Sequence, residues 1–347
     1  MKVAIMLLAA LAAVQVVLAV ITHSGGTQVA GESVHGMLLE FDKAAVDQLV
    51  VQSAGSNIEL KKSGDRWQTA DGFPANAAKV TGLLDKLAEL KYGLPVGVSE
   101  DALSRFKVAD DDFERHLLLK QGDKVLADLY LGSGAGARQS HVRRAAEQTV
   151  YTTALGSYDL AEDAGEWQDK TVLQLDEKSV KTVELGELKL EKISKDKETA
   201  PVWQAAKLAD GKLLNQANIN EALQPLWNLR FAEVLGKEAQ DSYGLAKPAL
   251  TLKLTYEQGE REYRFGKMDE GDDYVLKVSD REEYFRVAGY SVKPLVEKNT
   301  VENWLLDEAA DAQAGTEAET DSAVTEDVPV EEESTADTEA TKPVIPE

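Results

Sequence analysis

No cysteine occurs among the 347 residues, which excludes disulfides, thiolate metal ligands and cysteine nucleophiles. Histidine is nearly as scarce. His23, His35, His116 and His141 are the only four, and no two stand at metal-ligand spacing. Positive charge is also short: 38 Lys and Arg face 61 Asp and Glu, for a net charge of −23. Such a chain lacks the basic footprint that nucleic acid requires, and it is repelled by anionic lipid. No Gly-x-Ser-x-Gly elbow is present. The glycine-rich stretch 131–138 lacks the Lys and Ser/Thr of a phosphate loop, so it reads as a hairpin loop. No cofactor or metal is implied.

What is present begins with an apolar run over residues 3–21, interrupted only by Gln15. As a helix it would reach about 28 Å, close to a hydrocarbon core of about 30 Å. With Lys2 ahead of it and the next basic residue at Lys43, the charge rule places the N-terminus in the cytoplasm and the rest outside. Residues 1–22 are thus expected to be a transmembrane anchor. A cleaved signal, cut after Val17-Leu18-Ala19, is the rival reading. Residues 23–36 are expected to form a stalk rich in Gly, Ser and Thr. At the other end, residues 308–347 hold thirteen acidic residues, one lysine and no aromatic, and are expected to be disordered.

Between these ends the chain repeats itself. Trp67 answers to Trp203, Phe106 to Tyr243, Gly132 to Gly266, Tyr158 to Tyr290 and Trp167 to Trp304. The spacing of Val80, Leu83, Leu84, Leu87 and Leu90 predicts a helix from Pro74 to about Tyr92. Ile219, Ala222, Leu223 and Leu226 predict its counterpart over 216–231, with Pro225 inside it as a kink or a sign of a later start. Alternating Leu250, Leu252 and Leu254 give the period of a half-buried strand. Turn signals at Ala54-Gly55-Ser56-Asn57, Gly122 and Gly259 mark hairpins. The fold class expected is α+β: two tandem, similar antiparallel-sheet domains over 37–175 and 176–307, with one main helix each, behind the transmembrane helix.

The chemistry-bearing candidates are few. Arg138, His141, Arg143 and Arg144 form the one basic cluster of the body, a possible ligand or partner patch for a carboxylate, a phosphate or an acidic surface. A guarded edge strand is the plainer reading. In strand geometry His141 and Arg143 share one face and Arg144 the other. Asp110-Asp111-Asp112 and the acidic residues of 269–273 lack calcium-loop spacing. The repeated aromatics, Trp67, Trp167, Trp203, Trp227, Trp304, Tyr243 and Tyr290, are expected in the cores, or else around a groove between the domains.

With Trp67 behind a hairpin, Tyr243-Gly244-Leu245 before Pro248, Phe265-Gly266 and the run from Trp167 to Thr171, the chain resembles the bacterial family of domain of unknown function 4340. Phe106-Lys107-Val108 departs from the Tyr-Gly-Leu form. The resemblance implies a single-pass protein of the cytoplasmic membrane, its bulk on the periplasmic or extracytoplasmic side. It also implies an accessory or scaffold role beside an ABC-type permease of the gliding-motility kind. It carries no catalytic residue. The expectation is therefore a non-enzymatic, membrane-anchored envelope protein. The alternatives are an extracytoplasmic ligand-binding module with a site between its domains, or a carboxylate-dependent envelope hydrolase.

Overall fold

Turn chemistry sets the first strands. In the computed structural model, which describes residues 36–194 and 200–307, β1 (Gln48–Gln52), β2 (Asn57–Ser63) and β3 (Arg66–Thr69) form a meander. Its second turn uses Gly64 at φ +61°. The register Leu49↔Leu60 and Val51↔Ile58 puts four apolar side chains on one face. Helix α1 (Ala77–Ala88) follows, then β4 (Pro95–Gly97) and α2 (Glu100–Arg105). The unit ends with β5 (Arg115–Gln121), β6 (Lys124–Gly136), β7 (Gln139–Arg144) and β8 (Val150–Thr153). The eight antiparallel strands lie in the order β3-β2-β1-β5-β6-β7-β8-β4. The chain therefore leaves β3 at one edge and returns at β4 on the other, with α1 in between.

Asn76 caps α1, its side chain accepting from Lys79 N at 3.0 Å. Its own N–H donates to Trp167 O at 2.7 Å, which ties the helix start to the end of the unit. Val80, Leu83, Leu84 and Leu87 are buried among Leu49, Leu60, Leu117, Leu119, Leu129 and Leu131. Their burial stabilises the unit by roughly 6–12 kcal/mol, an upper bound at about 1.5–3 kcal/mol each.

The second unit repeats this plan. β9 (Val180–Leu185), β10 (Leu188–Ile193) and β11 (Val202–Ala205) precede α3 (Gln216–Trp227) and β13 (Glu233–Gly236), with a short β12 (Lys212–Leu214) ahead of α3. Then come β14 (Leu250–Tyr256), β15 (Gly259–Lys267), β16 (Tyr274–Val278) and β17 (Tyr284–Val287). The order β11-β10-β9-β14-β15-β16-β17-β13 matches the first sheet strand for strand. Asn215 caps α3, and its N–H donates to Trp304 O at 2.9 Å, as Asn76 does to Trp167. Two further helices, α4 (Gly289–Lys298) and α5 (Val301–Trp304), close the unit, and β18 (Leu305–Asp307) pairs with β12. Each unit has one main helix, as expected; in the second, the shorter α4 adds buried Val292 and Leu295.

One crossing explains a sequence departure. In the second unit Gly244 adopts φ +66°, and a Cβ there would lie 2.1 Å from Lys267 O. Gly266 is equally tight against Tyr243 O, as Gly132 is against Phe106 O in the first unit. Lys107 takes the place of Gly244 and holds the same left-handed turn at φ +59°. The expected loop over 131–138 is instead largely strand: β6 runs to Gly136, because the backbone of 106–107 passes directly over Gly132. Both main helices end earlier than their apolar spacing suggested. Pro225 lies in the last turn of α3, which stops two residues later.

The membrane part of the expected fold class is corrected. The longest helices among the described residues, α1 and α3, have 12 residues, about 18 Å at 1.5 Å per residue. No helix among the described residues is long and apolar enough to cross a membrane. The anchor expected over 1–22, most of the stalk and the acidic tail lie outside the described residues. The expected localisation in the cytoplasmic membrane, the membrane and permease partners and the membrane-anchored accessory role are corrected on that finding, since no described helix supports them. The architecture is two similar eight-stranded antiparallel sheets, each with a helix across one face.

Candidate functional site

The four basic residues singled out in the sequence do not converge. Arg138 stands at φ +56° in the turn between β6 and β7. His141 stacks on Phe106 with ring centroids 4.2 Å apart, and its Nδ1 lies 2.8 Å from Ser133 O. Arg143 shares that face but is only 3% exposed. Its Nε donates to Val108 O at 2.7 Å and its Nη1 to Glu147 O at 3.1 Å. Its Nη2 pairs with Asp110, and the guanidinium lies 4.5 Å from the centre of the Tyr130 ring. Arg144, on the opposite face, donates to Tyr92 Oη at 2.9 Å and pairs with Glu147. The Tyr92 bond raises its pKa.

The repeat explains Arg143. In the second unit Lys277 holds the same place on β16, and its Nζ donates to the carbonyls of Arg281, Glu282 and Glu283 at 2.5, 2.7 and 3.4 Å. Burial lowers its pKa. In both units this cation closes the turn before the next strand, so it is a fastening rather than a free ligand site. Beside Arg143, directly opposed residues form a row across four strands: Gln52, His116, Tyr130, Arg143. The His116 and Tyr130 rings stack at 4.2 Å and 8°, and His116 Nε2 lies 2.6 Å from Asp128 Oδ1. His116 and Arg143 of this row both have partners within the chain.

The acidic loops are used in the same way. Asp112 pairs with Lys107. Asp273 accepts from Gly289 N at 3.0 Å and from Arg286 at 2.9 Å. Its pKa is lowered, first by the Gly289 bond. Among the described residues no three His, Asp or Glu are grouped to hold a metal.

Where the units meet, Phe73 leaves the β3–α1 connection of the first and enters the core of the second. Its ring packs edge-on against Phe231 at 5.6 Å and tilted against Phe285 at 6.2 Å. Lys170 Nζ lies 4.2 Å from the Phe231 ring centre and donates to Ala232 O at 3.2 Å. This part of the junction is packed side chain.

Open space includes a cavity of ≈ 500 Å³ beside the start of α3, without a described counterpart, and one at the far end of each main helix. A cavity of ≈ 520 Å³ sits between the end of α1, the approach to β4 and the end of β8. One of ≈ 430 Å³ sits between the end of α3, the approach to β13 and the end of β17. Both sizes fall in the range of small-ligand sites. Four wall positions correspond through the repeat: Leu90 with Leu229, Lys91 with Arg230, Gly93 with Ala232, and Ala154 with Ala288. Lys91 and Arg230 are exposed, and neither has an ion-pair partner among the described residues. Tyr290, expected in the core, is 88% exposed and lines the second cavity. The other repeated aromatics expected there, Trp67, Trp167, Trp203, Trp304 and Tyr243, are buried, while Trp227 is partly so. The paired cations were visible in the sequence at an offset of 139 residues, the spacing that separates α1 from α3; nothing marked them as facing a cavity.

The sequence model of a family described as domain of unknown function (DUF4340) matches residues 67–248, more than half of the chain. The match begins in β3 of the first unit and ends just before β14 of the second. No curated protein and no solved structure matches.

Proposed function

We propose that this chain, which belongs to the DUF4340 family, is a non-catalytic binding module that takes an anionic ligand at the end of each main helix. The observation that carries this reading is the recurrence of one cavity in both units, with a leucine on its wall and an unpaired cation at the same place, Lys91 or Arg230. A cation in a largely negative chain attracts an anion locally, and the apolar wall favours a ligand with some apolar surface. The non-catalytic part of the reading is supported by the partners of the basic and acidic groups described above. Those of Arg143, Lys277 and Asp273 are backbone groups and neighbouring ion pairs.

The test uses the full chain and 8-anilinonaphthalene-1-sulfonate, an anion with apolar rings whose fluorescence rises on binding. Two saturable sites are expected. Lys91→Glu and Arg230→Glu, both at exposed positions, each remove about one site. Unchanged binding in both variants would overturn the reading.

A further inference from the structure

The rims of the two cavities share a second feature. Among the described residues, the aromatic side chains most open to solvent are Tyr290, at 88%, and Tyr158, at 60%. They are repeat partners. Tyr290 lines the second cavity. The Tyr158 ring centre lies 5.3 Å from Lys86 Nζ, and Lys86 lines the first. Large aromatic rings normally contribute buried area, and thirteen of the aromatics here are buried. Two exposed rings at matching places beside matching cavities therefore need a reason.

We infer that each cavity recognises an acidic sugar, a pyranose ring bearing a carboxylate. This rests on the binding-module reading and names its ligand class. An exposed tyrosine offers one flat apolar face, which suits the C–H face of a sugar ring. The cation at Lys91 or Arg230 suits the carboxylate, and a guanidinium pairs with it through two parallel bonds. Besides Lys86, which pairs with Asp159, and the exposed Glu89, the remaining polar wall residues are amides and hydroxyls: Gln139, Thr152 and Thr153 in the first cavity, Asn228 and Ser291 in the second. The amides and hydroxyls are donors and acceptors without charge, the kind that matches sugar hydroxyls. Thr153 already donates to Lys91 O at 3.1 Å, which leaves its oxygen as an acceptor. A polyphosphate would favour several cations or a glycine-rich cradle, and each cavity has one unpaired cation at its repeat-matched position.

Saturation-transfer NMR on the full chain tests this with galacturonic acid, trigalacturonic acid and galactose as probes. Transfer to the ring protons of galacturonic acid is expected, with binding at least tenfold weaker for galactose. Tyr158→Ala together with Tyr290→Ala should reduce transfer at least fivefold, whereas the corresponding Phe variants, which keep the flat face, should retain it. Tighter binding of the trimer than of the monomer would assign the ligand to a polymer, and equal binding to a free sugar acid; either supports the inference. If anilinonaphthalenesulfonate binds with sensitivity to Lys91→Glu and Arg230→Glu, but galacturonic acid gives no transfer or the Ala variants change nothing, the sugar inference is overturned and the binding module stands. If neither probe binds, both are overturned.

Discussion

Phe73→Ala is the substitution that most sharply tests how the two units are joined. Phe73 belongs by sequence to the first unit, in the connection between β3 and α1, yet it is 2% exposed within the core of the second. Truncating a buried phenylalanine costs about 3–5 kcal/mol, transfer and cavity together. The two aromatic contacts, to Phe231 and Phe285, are contained in that figure and favour its upper part. The Arg281 guanidinium, 5.7 Å from the ring centre, loses a neighbour as well. A loss of about 3–5 kcal/mol is therefore expected, comparable with the whole stability of a marginal domain. The assay is equilibrium urea unfolding followed by tryptophan fluorescence. Trp167 and Trp304 lie buried in the first and second cores respectively, and single Trp→Phe backgrounds separate their signals. The Trp304 transition should move to lower urea, and it should separate from the Trp167 transition. A change below about 0.5 kcal/mol, the size expected of an ordinary surface substitution, would refute the placement of Phe73 in the second core.

Three further outcomes follow from local geometry. Gly244→Ala should destabilise by about 2 kcal/mol or more in thermal unfolding, from a left-handed conformation costing about 1–2 kcal/mol for a residue with a Cβ and the overlap with Lys267 O; Lys107→Gly at the equivalent turn should be neutral or slightly stabilising. Tyr263, buried with its hydroxyl donating to Leu173 O at 2.9 Å, has its pKa pushed up to about 12 by burial. The neutral form is favoured in the fold, so its contribution is whole below about pH 10 and is lost as pH rises towards 12, by up to roughly 2–3 kcal/mol; alkaline titration of Tyr263→Phe by circular dichroism should show a shallower loss. Asp273 is the acid counterpart: its lowered pKa means that its contribution is present above the ordinary carboxylate range and disappears as pH falls through the lowered value. Asp273→Asn should weaken this acid dependence and loosen the start of α4, seen as faster amide exchange at Gly289.

The repeated sheet was legible because its elements are long enough to carry a pattern. The alternation of Leu250, Leu252 and Leu254 and the spacing of Val80, Leu83, Leu84 and Leu87 each report one buried face. β4 and β13 were not legible. They have three and four residues, and they are strands only because Tyr151 and Phe285 pair with them from distant sequence. The basic cluster was misleading for a related reason. Sequence shows Arg143 among cations, whereas the folded chain lays the 108–110 segment over it and turns it into a fastening. Tyr290 misled in the opposite direction. Its repeat partner Tyr158 is exposed as well, and the exposure of Tyr290 follows from where α4 begins, at the rim of a cavity that no residue type announces. The apolar run at residues 3–21 supported a membrane role that no described helix sustains.

The twin cavities are the centre of the account, and site counting by fluorescence titration tests them most directly. Anilinonaphthalenesulfonate should saturate two sites on the unaltered chain, one on Lys91→Glu, one on Arg230→Glu and none on the double variant. Equal binding by all four proteins would contradict the account.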